Sequence, residues 1–402
     1  MADRAPAQLL PVAEAQARLF ALAPRVTAET VSLRAAAGRW SAGDVLALRT
    51  QPAATLSAMD GYAIRFAGMP GPWRVIGESA AGHAFAGTVS PGEAVRIFTG
   101  AALPAGADTV LVQEEARTPD DGDDRLLLDG EGPAHRGRNT RAKGLDFTAG
   151  DVLIRAGDRL TPARIALAAT AGHGTLAVNR RLRVATLATG DELVAPGAPI
   201  EGLALPESNG AMLAAMLADL PVEVIDLGIL PDRLDALAKA FATVDADIVV
   251  TTGGASVGDH DLVRPALVAA GGSIDFWRIA LRPGKPMMAG RLGPAVVLGL
   301  PGNPVSAFVT ALLFLKPLVA ALAGARDPLP PSYAAPLGEP IPANGERTDY
   351  LRAEMHDGRV FASTIQDSSM LLTLARAGCL IVRPAHAPAA NMGDSVEILP
   401  LA

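Results

Sequence analysis

Three consecutive β-branched residues, Ile248, Val249 and Val250, run through Thr251 and Thr252 straight into Gly253 and Gly254. A run of that kind reads as a strand buried on both faces, as in a parallel sheet covered by helices. The turn that follows is glycine-rich and also holds Ser256 and Gly258. It places backbone N–H groups at the carboxyl edge of the sheet, where the lack of a Cβ lets an anion approach closely. Asp259 and Asp261 then open a helix through Leu262, Val263, Ala266 and Leu267. Taken alone, the stretch fits a tight turn with an aspartate N-cap equally well.

Neighbouring segments shift that balance. Residues 276–286, FWRIALRPGKP, supply Arg278, Arg282 and Lys285. Residues 298–308, LGLPGNPVSAF, give another strand that ends in a turn of Pro301, Gly302, Asn303 and Pro304. Residues 187–193, LATGDEL, give a third, with Asp191 and Glu192 at its end. Several strands ending in polar turns at one edge make a crevice, where open α/β sheets bind ligands. Cations, carboxylates and glycine backbone together suit a phosphorylated ligand with a divalent metal. Asp232 follows Pro231 and serves either that site or a helix N-cap.

From residue 183 strands alternate with helices, which implies a doubly wound, mostly parallel sheet over 181–326. Residues 51–146 are β-rich and carry Asp60 and Thr99; they are inserted into a small α+β host made of 1–50 and 147–180. A proline-rich linker leads into a C-terminal β domain over 327–402. The net charge of −7 argues against a broad nucleic-acid or membrane footprint, so an anionic substrate needs local cations. The apolar run 305–323 is expected as a buried helix, because Lys316 and Pro317 interrupt it. Six scattered histidines show no zinc spacing, and the lone Cys379 reads as a buried thiol. The start of the chain shows no signal-peptide pattern, so the expected location is cytoplasmic.

The motifs SAMDGYA, RIFTGAALPAGAD, ATGDEL, TTGGASVGDHD, RPGKP and LPGNPVSA occur in this order, followed by RTDYLRAE and SSMLLTLARAGCLIV. The ordered set resembles the molybdopterin molybdenumtransferases of the MoeA/gephyrin family over nearly the whole chain. The resemblance implies an α/β domain of the molybdopterin-binding type. It implies an enzyme that takes adenylylated molybdopterin and molybdate, uses Mg²⁺, and releases molybdenum cofactor and AMP. It also implies a homodimer whose clefts combine the α/β domain of one subunit with the inserted β domain of the other. A molybdopterin adenylyltransferase is a possible supplier of substrate.

Carried over by position, the functional residues are Asp60, Thr99, Glu192, Asp232, Asp261, Arg278, Arg282, Pro301 and Pro304. Glu192, Asp232 and Asp261 are the expected metal ligands. Gly253, Gly254, Ser256, Gly258, Lys285, Pro301, Gly302, Asn303 and Pro304 are the expected substrate contacts. The sequence departs from the family in having arginine where lysine is usual at 278 and 282, Ala54-Thr55-Leu56 before SAMDGYA, and Leu145 where an acid is usual. Rival readings are another enzyme built on the same α/β module, which leaves the inserted block unexplained, and a scaffold without turnover, which leaves the carboxylates and cations unexplained.

Overall fold

The computed structural model describes residues 9–119, 125–254 and 262–401. Its centre is a six-stranded sheet in the order Val222–Leu230, Leu182–Thr189, Ile248–Thr252, Ala295–Leu300, Met288–Leu292, Ser273–Trp277. The first four strands are parallel; Met288–Leu292 runs antiparallel to Ala295–Leu300, and Ser273–Trp277, antiparallel to Met288–Leu292, runs in the direction of the first four. Ile248–Thr252 lies inside the sheet with every residue buried. Successive strand residues face opposite sides. Accordingly Ile248 and Val250 pack with Leu213, Leu217, Val305 and Val309, while Val249 packs with Leu237, Phe241 and Leu267. Helices therefore cover both faces, which is the doubly wound arrangement expected.

The antiparallel strand Met288–Leu292 had no counterpart in the sequence reading. It contains no β-branched residue, and it forms only because a Gly293-Pro294 turn folds it back along Ala295–Leu300. Pro304–Leu322 is long and apolar enough to cross a membrane, but 78% of its apolar window is buried within the fold. It is a core helix, as its composition indicated. Val12–Phe20 packs against it, and the Gln16 amide donates to the Leu313 carbonyl at 2.8 Å.

Ala28–Ser32 pairs with Thr175–Asn179, and Val45–Leu46 with Val152–Ile154. One small core joins these two stretches of chain: Ala36, Val45, Ile154, Leu160, Ala168 and Val178. Between them in sequence lies a separate six-stranded sheet running from Gly61–Ile64 to Arg125–Leu128. The last sheet comprises Tyr333–Pro336, Thr348–His356, Arg359–Ala362, Cys379–Arg383 and Ser395–Pro400. Cys379 is buried in it, and burial pushes the thiol pKa up, as suits a structural residue. This sheet takes one further strand from far upstream: Leu281–Arg282 pairs in parallel with Thr348 and Asp349.

Candidate active site

The carboxyl ends of four parallel strands converge on a cavity of about 780 Å³. Glu192, Asp232, Gly253, Gly254, Pro301, Gly302, Asn303 and Pro304 all line it, so the structure brings half of the sequence-predicted site residues together in one cavity. Gly253 has φ +88°, and a Cβ there would stand 2.3 Å from the Thr189 carbonyl oxygen. Only glycine permits that turn without displacing the adjacent strand end. Ser256, Gly258 and Asp261 lie outside the described residues.

Asp232 is not a helix N-cap. The helix after it is Leu234–Thr243, with Arg233 at the cap position and no side-chain cap bond. Asp232 instead accepts a hydrogen bond from the Thr189 hydroxyl, and its own N–H donates to Asp191 Oδ1 at 3.1 Å. It is thereby fixed across two strand ends, facing the cavity. Asn303 does sit at the cap position with Pro304 in the first helical turn. Its side chain does not cap the helix; Nδ2 donates to Ser368 Oγ at 3.0 Å.

Among the lining residues that escaped the sequence reading are Glu207, Asn209 and Ser369. Asn209 Nδ2 donates to the Gly302 carbonyl at 2.8 Å and ties two loops together. Ser369 arrives from the C-terminal sheet, where Asp367 Oδ1 accepts from its N–H at 2.9 Å and its hydroxyl at 2.6 Å. The PESNG stretch ahead of the Asn209–Leu217 helix was the available signal for the first two. No local pattern reports that a distant serine will reach the cleft.

The cations do not line the main cavity. Arg282 and Lys285 border a neighbouring cavity of about 360 Å³ with Arg347 and Asp349, and Pro286, next in the chain, lines the larger one. Arg282 forms an ion pair with the buried Asp349. Arg278 has φ +80°, a left-handed conformation that costs a non-glycine residue about 1–3 kcal/mol. Its loop is closed by Arg278 N–H to the Met287 carbonyl at 3.3 Å and Ile279 N–H to the Lys285 carbonyl at 3.1 Å.

Asp60 and Thr99 line neither of these two cavities. They form a pair in the inserted sheet, where Asp60 Oδ1 accepts from the Thr99 N–H at 2.7 Å and hydroxyl at 2.8 Å. The Thr99 backbone donor, then its hydroxyl, holds the Asp60 pKa below the ordinary carboxylate value. Among the described residues no three His, Cys, Asp or Glu side chains form a metal cage. Glu192, Glu207 and Asp232 line the main cavity, and no described Lys or Arg does.

A doubly wound sheet with a cleft at the carboxyl ends of its parallel strands, flanked by two further β units, defines a multidomain α/β protein. The chain belongs to the MoeA family. The family descriptions that match are "MoeA N-terminal region (domain I and II)" at residues 10–172, "Probable molybdopterin binding domain" at 185–321 and "MoeA C-terminal region (domain IV)" at 334–401. It is 35% identical to the molybdopterin molybdenumtransferase of Haemophilus influenzae, covering 98% of both chains. It is 34% identical to that of Nostoc sp., covering 95% of this chain and 92% of the relative. A crystal structure of the molybdopterin biosynthesis MoeA protein from Pyrococcus horikoshii superposes with a TM-score of 0.82 at 27% identity, over 98% of this chain and all of that one.

Proposed function

We propose that this chain is a molybdopterin molybdenumtransferase, which inserts molybdate into adenylylated molybdopterin and releases AMP. The observation that carries the reading is end-to-end similarity to enzymes of that name, coupled to a cleft assembled at the carboxyl ends of the sheet. In this reading the Gly253 and Gly254 amides meet a phosphate, and Pro301, Gly302, Asn303 and Pro304 shape the opposite wall. Arg282 and Lys285 hold an oxyanion, molybdate or phosphate, at the edge of the cleft, with Arg278 in the same loop.

The main cavity carries three described carboxylates and no described Lys or Arg, so a substrate pyrophosphate there requires neutralisation by something other than these side chains. A hard divalent cation such as Mg²⁺ supplies it, and hard cations take oxygen ligands. Glu192 and Asp232 provide such oxygens, and Asp261 is the third ligand we assign on sequence grounds. The enzyme works as a cytoplasmic homodimer in this reading, with Asp60 and Thr99 completing the partner's cleft, and receives its substrate from a molybdopterin adenylyltransferase.

The deciding assay follows AMP release from adenylylated molybdopterin with and without molybdate and Mg²⁺. Release that depends on both is expected. Asp232→Ala should raise the Mg²⁺ concentration needed for half-maximal rate, or abolish the rate. A protein that binds the substrate but never releases AMP would be a scaffold and would overturn the proposal.

A further inference from the structure

Behind the main cavity lies a second one of about 320 Å³, and Glu207 and Thr252 line both. Its walls are largely apolar: Leu187, Ala188, Pro196, Leu213 and Ile229. Glu207 is only 9% exposed. Its two carboxylate oxygens share the Gly210 N–H, at 2.9 and 3.0 Å, and among the described residues no cation pairs with it. A buried carboxylate without a cation is expensive unless other donors reach it. A carboxylate has about four lone-pair sites, and the forked Gly210 contact leaves acceptor capacity on both oxygens. Asn209, 8% exposed and two residues on, has a buried Oδ1 without a hydrogen-bond partner. That oxygen faces the main-cavity side, whose lining includes Asn209. In the slot itself the acceptors are Glu207 and, at its outer side, Asp226, which already takes the Gly228 N–H at 2.8 Å; Glu207, with only the shared Gly210 donor, is the buried group short of donors, while most of the walls are apolar.

We propose that the slot receives a flat heterocycle whose edge presents two adjacent N–H donors, and that Glu207 reads that edge. This rests on the transferase reading, under which the ring is the 2-amino-4-oxo portion of the pterin. Side-by-side N–H groups match the two oxygens of a carboxylate, a strong and orientation-specific pairing. Apolar walls with a few placed polar groups are the usual make-up of such a pocket. Adenine does not fit the same description, since it presents an amino group beside a bare ring nitrogen. The pterin then lies behind the glycine turn, with its phosphate side toward Gly253 and Gly254. The competing role for Glu207 is helix capping alone, for which a Ser, Asp or Asn would serve.

The test uses the full-length protein and two fluorescent probes, pterin-6-carboxylate and the matching 2,4-dioxopteridine-6-carboxylate, followed by anisotropy. The dioxo compound replaces the 2-amino donor by a carbonyl that opposes the carboxylate. Wild type should bind the pterin at least about tenfold more tightly than the dioxo analogue. Glu207→Gln should lose that preference, because its amide turns one acceptor into a donor. Ala195→Phe, on the exposed loop over the slot, should weaken both probes by filling it while leaving the core untouched. Equal binding of both probes by wild type, an undiminished preference in Glu207→Gln, or no pterin binding at all overturns the slot. AMP release by the same wild-type preparation separates the two readings. Turnover without probe discrimination removes the slot alone, and discrimination without turnover removes the transferase reading.

Discussion

Asp60 illustrates how little burial a perturbed carboxylate requires. Two donors from one residue, Thr99, lower its pKa without a cation in direct contact. The folded-state value lies below the unfolded one, so the interaction stabilises the fold above the unfolded value of about 3.9 and is lost as pH falls through the folded one. Thr99→Val removes the hydroxyl but keeps the backbone donor, which is the larger cause. The Asp60 carboxyl, followed by ¹³C chemical shift, should therefore move part of the way back toward about 3.9. An unchanged titration would mean that the hydroxyl contributes nothing. A full return would mean that the backbone donor does not act as described.

At the level of elements, loop 363–369 carries Ser368 and Ser369 to the cleft, and a buried arginine holds it. Arg352, 1% exposed, donates to the carbonyls of Asp367 at 2.8 Å and Ile365 at 3.0 Å. Gln366 accepts from the Arg352 N–H at 3.1 Å and returns a bond to its carbonyl at 3.0 Å, acting as a strand partner. Arg352→Met removes the donors from both carbonyls, and at roughly 1.5–3 kcal/mol for each hydrogen bond lost from a charged donor the loop should open before the sheet does. Hydrogen exchange should show lost protection over 363–369 with protection retained in Cys379–Arg383. Uniform loss over both would make Arg352 a general core residue.

The sequence legibility of these elements follows from their physics. Ile248–Thr252 was readable because a strand buried on both faces must be continuously apolar or β-branched. Met288–Leu292 was not, because its pairing depends on a hairpin turn rather than on its own residues. The Glu192, Asp232, Gly253 and Pro301 cluster was legible as strand ends. Glu207 and Asn209 looked like an ordinary helix start, and nothing local distinguishes a cap from a ligand group.

At the scale of the whole molecule, the cleft draws on residues far apart in the chain, and our proposal extends it to a second subunit. In a two-fold dimer with shared clefts, Asp60→Ala and Asp232→Ala homodimers are each inactive. Mixed dimers have one site with both lesions and one with none. Random exchange makes about half the dimers mixed, so about a quarter of all sites should regain activity. Subunit exchange verified by two affinity tags, followed by the AMP assay, measures this. Verified exchange without recovery would place Asp60 in its own chain's site or reduce it to a turn residue.

The Leu281–Arg282 strand gives the molecule a further property. It leaves the α/β sheet after Ser273–Trp277, is stitched by backbone pairing to Thr348–Asp349 of another sheet, and returns as Met288–Leu292. The thread bearing Arg278, Arg282 and Lys285 is thus fastened to both bodies, like a belt running over two pulleys. Were the small sheet to rotate, the belt would carry that displacement to the cavity of Arg282 and Lys285 and to Pro286 at the mouth of the main cleft. Two units joined only by the linker would have independent freedoms; these two share a second, hydrogen-bonded tie.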